Sequence, residues 1–106
     1  MEILQGTLDL LVLQTLETMG SLHGWGIARR IEQISDDQVN LNYGTLYPAV
    51  IRLEQKGWIT SAWGTSENNR RAKFYVLTKQ GRHQLMAEKK SWQEITAFIS
   101  RVLGES

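Results

Sequence analysis

The stretch NYGTLYPAVIRLEQKGWI, residues 42–59, decides how the rest of the chain is read. At a helical repeat, Leu46, Ala49, Val50 and Leu53 fall on one side, and Gly57 follows as a stop signal. That side is core. The opposite side carries Gly44, Tyr47, Pro48, Ile51, Arg52 and Gln55, where a solvated helix shows mostly Lys and Glu. Aromatic hydroxyl, guanidinium, amide and small side chains suit base edges, phosphates and thymine methyls in a DNA major groove. A second packing surface inside the domain would explain the same face, so the surroundings must decide. The start of this helix has two solutions. Asn42 can cap it, which leaves Pro48 in the second turn and forfeits a backbone hydrogen bond. Thr45 can cap it, which puts Pro48 harmlessly in the first turn. Propensity favours Thr45.

Downstream the periodicity changes from helical to extended. Residues 58–63 (WITSAW) and 72–77 (AKFYVL) read as two β-strands, joined by the polar tip GTSENNRR at residues 64–71. A lone hairpin is marginal in water, so it must lean on the helices. Thr78 is placed to cap a last helix running from 79 to about 103. In it Leu85, Trp92 and Ile99 recur every seven residues, Ile95 and Val102 fill the seam, and Glu88 takes the remaining seam position. Such a helix is about 37 Å long, more than a small core can cover. Its surplus apolar stripe predicts a partner, most simply a second copy of the chain.

Upstream, Leu8, Leu11, Val12, Leu16 and Met19 repeat at threes and fours, predicting a first helix over 7–19 with Thr7 as cap and Gly20 as stop. Ile3 and Leu4 precede it, and Leu10 and Leu13 broaden its stripe enough to suggest an intersubunit surface. Residues 21–26 read as a turn around His23, Gly24, Trp25 and Gly26. A shorter second helix follows through Ile27, Ala28, Ile31 and Ile34. The glycine pair 24 and 26 does not make a dinucleotide loop, because Arg29 stands where a third glycine is needed and a helix precedes it. A polar link over 35–41 ends in a short extended piece at 39–41.

At 106 residues the chain is one domain. It has no cysteine, which excludes disulfides, thiolate metal sites and a cysteine nucleophile. No stretch resembles a signal peptide or is apolar enough to span a bilayer, so the expected location is cytoplasmic with no membrane partner. Net charge is only +1 but unevenly placed: residues 1–57 carry −3 and residues 58–106 carry +4. Arg70, Arg71, Lys73, Lys79 and Arg82 lie within thirteen residues free of acids, enough for a local anion-binding surface. His23 and His83 are the only histidines and sit in no metal-binding or nucleophile–base spacing. No catalytic residue, metal or cofactor is expected, and the chain is read as a non-enzyme.

Helix, helix, helix, hairpin and long helix is the layout of a winged helix-turn-helix domain: α+β, mainly α, with a long C-terminal dimerisation helix. Residues 1–78 form the winged-helix part and 79–106 the dimerisation helix of a single domain, 1–106. The third helix would enter the major groove, and the basic hairpin would reach neighbouring phosphate or minor groove.

The sequence closely resembles the PadR family of transcriptional regulators. The resemblance rests on Gly44-Thr45-Leu46-Tyr47-Pro48, Arg52-Leu53-Glu54, Gly57-Trp58-Ile59, Lys73-Phe74-Tyr75, Leu77-Thr78 with Gly81, and His23-Gly24. It implies a dimeric winged-helix regulator, usually a repressor, that acts on double-stranded DNA with a palindromic operator. Carried onto this chain, Tyr43, Thr45 and Tyr47 are groove-side residues, and Lys73 with Tyr75 forms the wing base. Arg52, Asn69, Arg70 and Arg71 complete the expected DNA-binding set. Leu8, Leu11, Leu85, Trp92, Ile95, Ile99 and Val102 are expected at the homodimer interface. The resemblance also implies a small aromatic effector held between helices at that interface, with Trp92 the foremost candidate and Phe98 and Leu11 beside it. Trp25 and Gly26 depart from the family pattern, and Glu67 in the wing would repel phosphate. A winged-helix module binding protein or RNA without operator recognition is the alternative function.

Overall fold

Four helices and a small sheet are built around the first helix, α1 (Gln5–Met19). Residues 5–105 are described in the computed structural model; Ile3 and Leu4, expected ahead of the first helix, lie outside them. Leu8, Val12, Leu13 and Leu16 of α1 are buried in one core with side chains from the other helices. Thr7 lies inside α1, two residues past its start, and does not cap it. Gly20 ends the helix as expected, with positive φ and its N–H returned to the Leu16 carbonyl at 2.9 Å.

The chain then makes a two-residue strand, β1 (Leu22–His23), and enters α2 (Gly24–Ile34). The expected turn at 21–26 is thus a strand and the first turn of a helix. His23 caps α2, its Nδ1 accepting from the Gly26 N–H at 3.0 Å. Beyond α2, Asp36 and Asp37 both take positive φ, a conformation aspartate tolerates better than most residues. Asp37 accepts from Arg29 at 3.1 Å. Residues 39–41 form no strand. Val39 and Leu41 drop into the core instead, and Leu41 N–H donates to Glu32 at 2.8 Å.

Helix α3 (Tyr43–Gln55) starts at Asn42, whose side chain accepts from the Thr45 N–H at 2.8 Å. Thr45 is therefore not the cap, and Pro48 lies within the helix. The buried residues of α3 are Leu46, Ala49, Val50 and Leu53, the side that helical periodicity assigned to core. Strands β2 (Ile59–Thr65) and β3 (Arg71–Leu77) form the antiparallel wing, and β1 pairs on the other edge of β3 to give the order β1-β3-β2. Tyr75 is buried at the centre of this sheet.

Thr78 caps α4 (Lys79–Val102) by accepting from the Gly81 N–H at 3.0 Å, and its hydroxyl donates to the Gly57 carbonyl at 2.7 Å. The first turns of α4 pack on the domain through Gly81 and Leu85, and Arg82 reaches Glu17 of α1 at 2.8 Å. From Trp92 onward the apolar residues of α4 are exposed, and the molecule is drawn out to 52 × 30 × 21 Å. Two residues expected at a dimer interface are already spent: Leu8 and Leu85 are buried in the core of the single chain. The whole is a winged helix-turn-helix with an overhanging C-terminal helix. Among the described residues no helix is long and apolar enough to cross a membrane.

Candidate nucleic-acid interface

The N-terminal turns of α3 and the wing meet in a cleft of about 310 Å³. Tyr43 and Tyr47 come from α3, Trp63 from β2, Lys73 and Tyr75 from β3, and Gly24 and Trp25 from the start of α2. Four of these aromatic rings reach solvent: Tyr43 is 37% exposed, Trp25 41%, Tyr47 44% and Trp63 58%. The Asn42 cap sets this arrangement. By starting α3 before Tyr43, it places Tyr43 and Tyr47 one turn apart on one face, with ring centroids 5.3 Å apart. Gly24 supplies the room, since a β-carbon there would stand 2.0 Å from the Tyr43 ring.

Positive charge is gathered at the open side. The Arg71 guanidinium lies 4.9 Å from the Trp63 ring centre and the Lys73 ammonium 5.8 Å from it. Lys73 and Trp63 line the cleft, and Arg71 is held beside Lys73 by the same indole. At the back, the Trp25 ring stacks on His23 with centroids 3.7 Å apart, and Phe74 meets the same imidazole edge-on at 5.4 Å. Nε2 of His23 turns to Glu67, 3.6 Å away across the wing. Burial pushes the Tyr43 hydroxyl above the ordinary tyrosine range, and it does so more strongly for Tyr75, which the neighbouring Tyr43 raises further. Both phenols stay protonated at neutral pH and remain hydrogen-bond donors.

The expected DNA-facing residues divide into three groups. Tyr43, Tyr47 and Lys73 are brought together in the cleft. Thr45 is exposed beside them, its hydroxyl 3.2 Å from Asn42 Oδ1. Asn69 and Arg70 sit exposed in the wing turn, where Ser66 N–H donates to the Arg70 carbonyl at 2.8 Å and Asn69 takes positive φ. Arg52 points elsewhere: its guanidinium is hydrogen-bonded to the buried Asp9 of α1, so it ties α3 to the core. Tyr75, expected at the wing base, is closed off from solvent. Trp25 and Trp63 were not expected here; the signal available was one tryptophan in the first turn of α2 and another within β2, two elements that pack on the third helix.

The expected effector residues do not share a site. Trp92 and Ile95 line a cleft of about 330 Å³ with Gly6, Thr7, Leu10 and Glu88. Leu11 instead lines a separate groove of about 200 Å³ between α1 and α2 with Ile31 and Ile34. Phe98 lies farther out on α4, exposed, and touches neither cleft. Among the described residues no group of three potential metal ligands is assembled.

Residues 12–87 match the transcriptional regulator PadR-like family, which is most of the chain. The chain belongs to the PadR-like family. A PadR family transcription regulator from Clostridium difficile is 31% identical, covering 91% of this chain and 97% of its own, with a TM-score of 0.76. A transcriptional regulator from Clostridium thermocellum is 28% identical over 92% of this chain and 90% of its own, with a TM-score of 0.81. An uncharacterised protein from Lysinibacillus sphaericus is 26% identical over 92% of this chain and 89% of its own. Membership of the PadR-like family makes the chain a DNA-binding transcriptional regulator and not an enzyme.

Proposed function

We propose that the chain is a homodimeric repressor that reads a palindromic operator with α3 in the major groove and the β2–β3 wing on the flanking backbone. The observation that carries this reading is the convergence of Tyr43 and Tyr47 of α3 with Lys73 and Arg71 of the wing around Trp63. Tyrosine edges and cations side by side combine base readout with phosphate contact. Thr45, Asn69 and Arg70 extend the contact on either side, and Arg52 acts as a brace. Dimerisation uses the exposed α4 residues Trp92, Ile95, Ile99 and Val102 with Leu11 of α1. A small aromatic effector would meet Trp92 and Ile95 in the α1–α4 cleft and alter the spacing of the two recognition helices, so that its affinity and that of DNA are coupled.

Genomic fragments selected by the protein, followed by footprinting, test the reading. Tyr47→Ala is expected to weaken the selected site at least tenfold while leaving random duplex within about threefold. Arg71→Ala is expected to weaken all duplexes alike and reduce the slope of log affinity against log salt by about one. Equal loss on every sequence from Tyr47→Ala would remove that residue from readout. Structured RNA competing as well as duplex DNA would overturn the operator reading itself.

A further inference from the structure

We propose that the cleft between α2, α3 and the wing is a binding site for a small planar aromatic anion, and that this ligand and DNA exclude each other there. The inference rests on the DNA reading above for its consequence, though not for the site. Base pairs in a duplex offer the groove only their edges, because their faces are stacked on one another. The cleft offers the opposite complement. Trp25, Tyr43 and Tyr47 line a concavity with ring surface, and a ring surface is satisfied by a partner whose own face is free. A duplex seated on the exposed tyrosine edges therefore leaves the interior of the cleft unmatched.

Its volume, about 310 Å³, lies at the lower end of the range for small-molecule sites. One face of Trp25 is already covered by His23, which fixes the indole and leaves its other side toward the cleft. Among the described residues no carboxylate lines the space. Glu67, the acid of the wing turn, does not line the cleft, and its carboxylate stands 3.6 Å from His23 Nε2. Lys73 lines it, and Arg71 lies 4.9 Å from the ring of Trp63, which lines it as well. The Tyr43 hydroxyl is a protonated donor. Aromatic walls with two cations and a phenol donor suit a flat ring bearing a carboxylate or phosphate. Because Tyr43, Tyr47 and Lys73 would face both ligands, occupancy by one removes contacts needed by the other. Release from DNA would then be direct, with no change in dimer geometry and no part played by Trp92.

Calorimetric titration of the full chain with 1-naphthoate, without DNA, tests the site. Saturable binding of one ligand per chain is expected, at least tenfold weaker for 1-naphthylmethylammonium, which has the same ring and opposite charge. Trp63→Ala and Lys73→Gln are each expected to weaken naphthoate tenfold or more with the circular dichroism spectrum unchanged. Both side chains are on the wing surface, so loss of the fold does not confound the result. With a duplex that the protein binds, the apparent dissociation constant for naphthoate should rise in proportion to free DNA. Thymidine 5′-monophosphate has the same ring-plus-anion chemistry. Binding of either compound supports the site, and the tighter one places the natural ligand among nucleotides or among aromatic acids. No saturation with either, equal affinity for the cationic ring, dependence on Trp92 and not on Trp63, or a ternary complex with DNA would each overturn the proposal. If the protein binds no duplex at all, the DNA reading fails while the naphthoate isotherm still decides the site.

Discussion

Gly24 and Gly81 are both sites of close approach, but different neighbours make their substitutions differ. A β-carbon at Gly81 would stand 1.9 Å from the backbone carbonyl oxygen of Trp58, which cannot move without displacing the start of the wing. Gly81→Ala is expected to cost about 2 kcal/mol or more in a denaturant titration. At Gly24 the obstruction is the Tyr43 ring, the outer part of an exposed side chain that can swing away. Gly24→Ala should therefore cost less than about 2 kcal/mol yet weaken specific DNA binding tenfold, because the ring that swings away is the one proposed to face the groove. A large stability loss with unchanged DNA affinity would contradict that order. Tyr75 gives a pH dependence. Burial, its largest cause, raises the folded-state pKa above the unfolded value of 10.0. The neutral phenol's contribution is thus fully present below about pH 10 and is lost as pH rises beyond it, with a limiting slope of about 1.4 kcal/mol per pH unit. Melting temperature should fall more steeply between pH 9.5 and 11 than in Tyr75→Phe, and parallel curves would refute the assignment.

At the scale of elements, much was legible in the sequence wherever a period ran long enough to be counted. The core side of α3, the two long wing strands and the 24-residue α4 follow from spacing. What escaped was decided by contacts between distant residues. A two-residue β1 carries no period, and it exists because β3 offers it an edge. Arg52 lay on the outer side of α3 by periodicity, yet Asp9 lies 43 positions away in sequence and close in space. Spacing left the start of α3 open between Asn42 and Thr45 because propensity charges Pro48 for its lost backbone bond, whereas the Asn42 side chain accepts from both the N–H and the hydroxyl of Thr45 and so fixes the earlier start. Pro48→Ala supplies the missing N–H for the Gly44 carbonyl. Offsetting about 3 kcal/mol of helix-interior penalty against up to about 1 kcal/mol of lost unfolded-state restriction, it should stabilise the domain by about 2 kcal/mol. Chemical denaturation of the two proteins checks it, and no gain would mean that the helix already bends to satisfy Gly44 by other means.

At the scale of the whole molecule, one chain leaves its longest helix half used. The first turns of α4 are fixed by Gly81, Leu85 and the Arg82–Glu17 pair, whereas Trp92, Ile95, Phe98, Ile99, Val102 and Leu103 are all exposed. Positions 92, 95, 99 and 102 follow the three-and-four spacing of a helix–helix seam, and an exposed apolar row of this length marks an association surface. Since none of these side chains belongs to the buried core, replacing two of them tests association without dismantling the winged helix. The pair Ile95→Asp and Ile99→Asp would place four carboxylates at the proposed symmetric interface and should give a monomer by sedimentation at concentrations where the natural chain is expected to sediment as a dimer. Helix α4 should fray in that monomer while the wing and α3 keep their amide protection. Two half-sites read by linked recognition helices bind far more tightly than one, so operator affinity should fall a hundredfold or more while binding to random duplex falls only about tenfold. A chain that stays dimeric with both aspartates in place would move the interface off α4, and the apolar α1–α2 groove lined by Leu11, Ile31 and Ile34 would be the next surface to test.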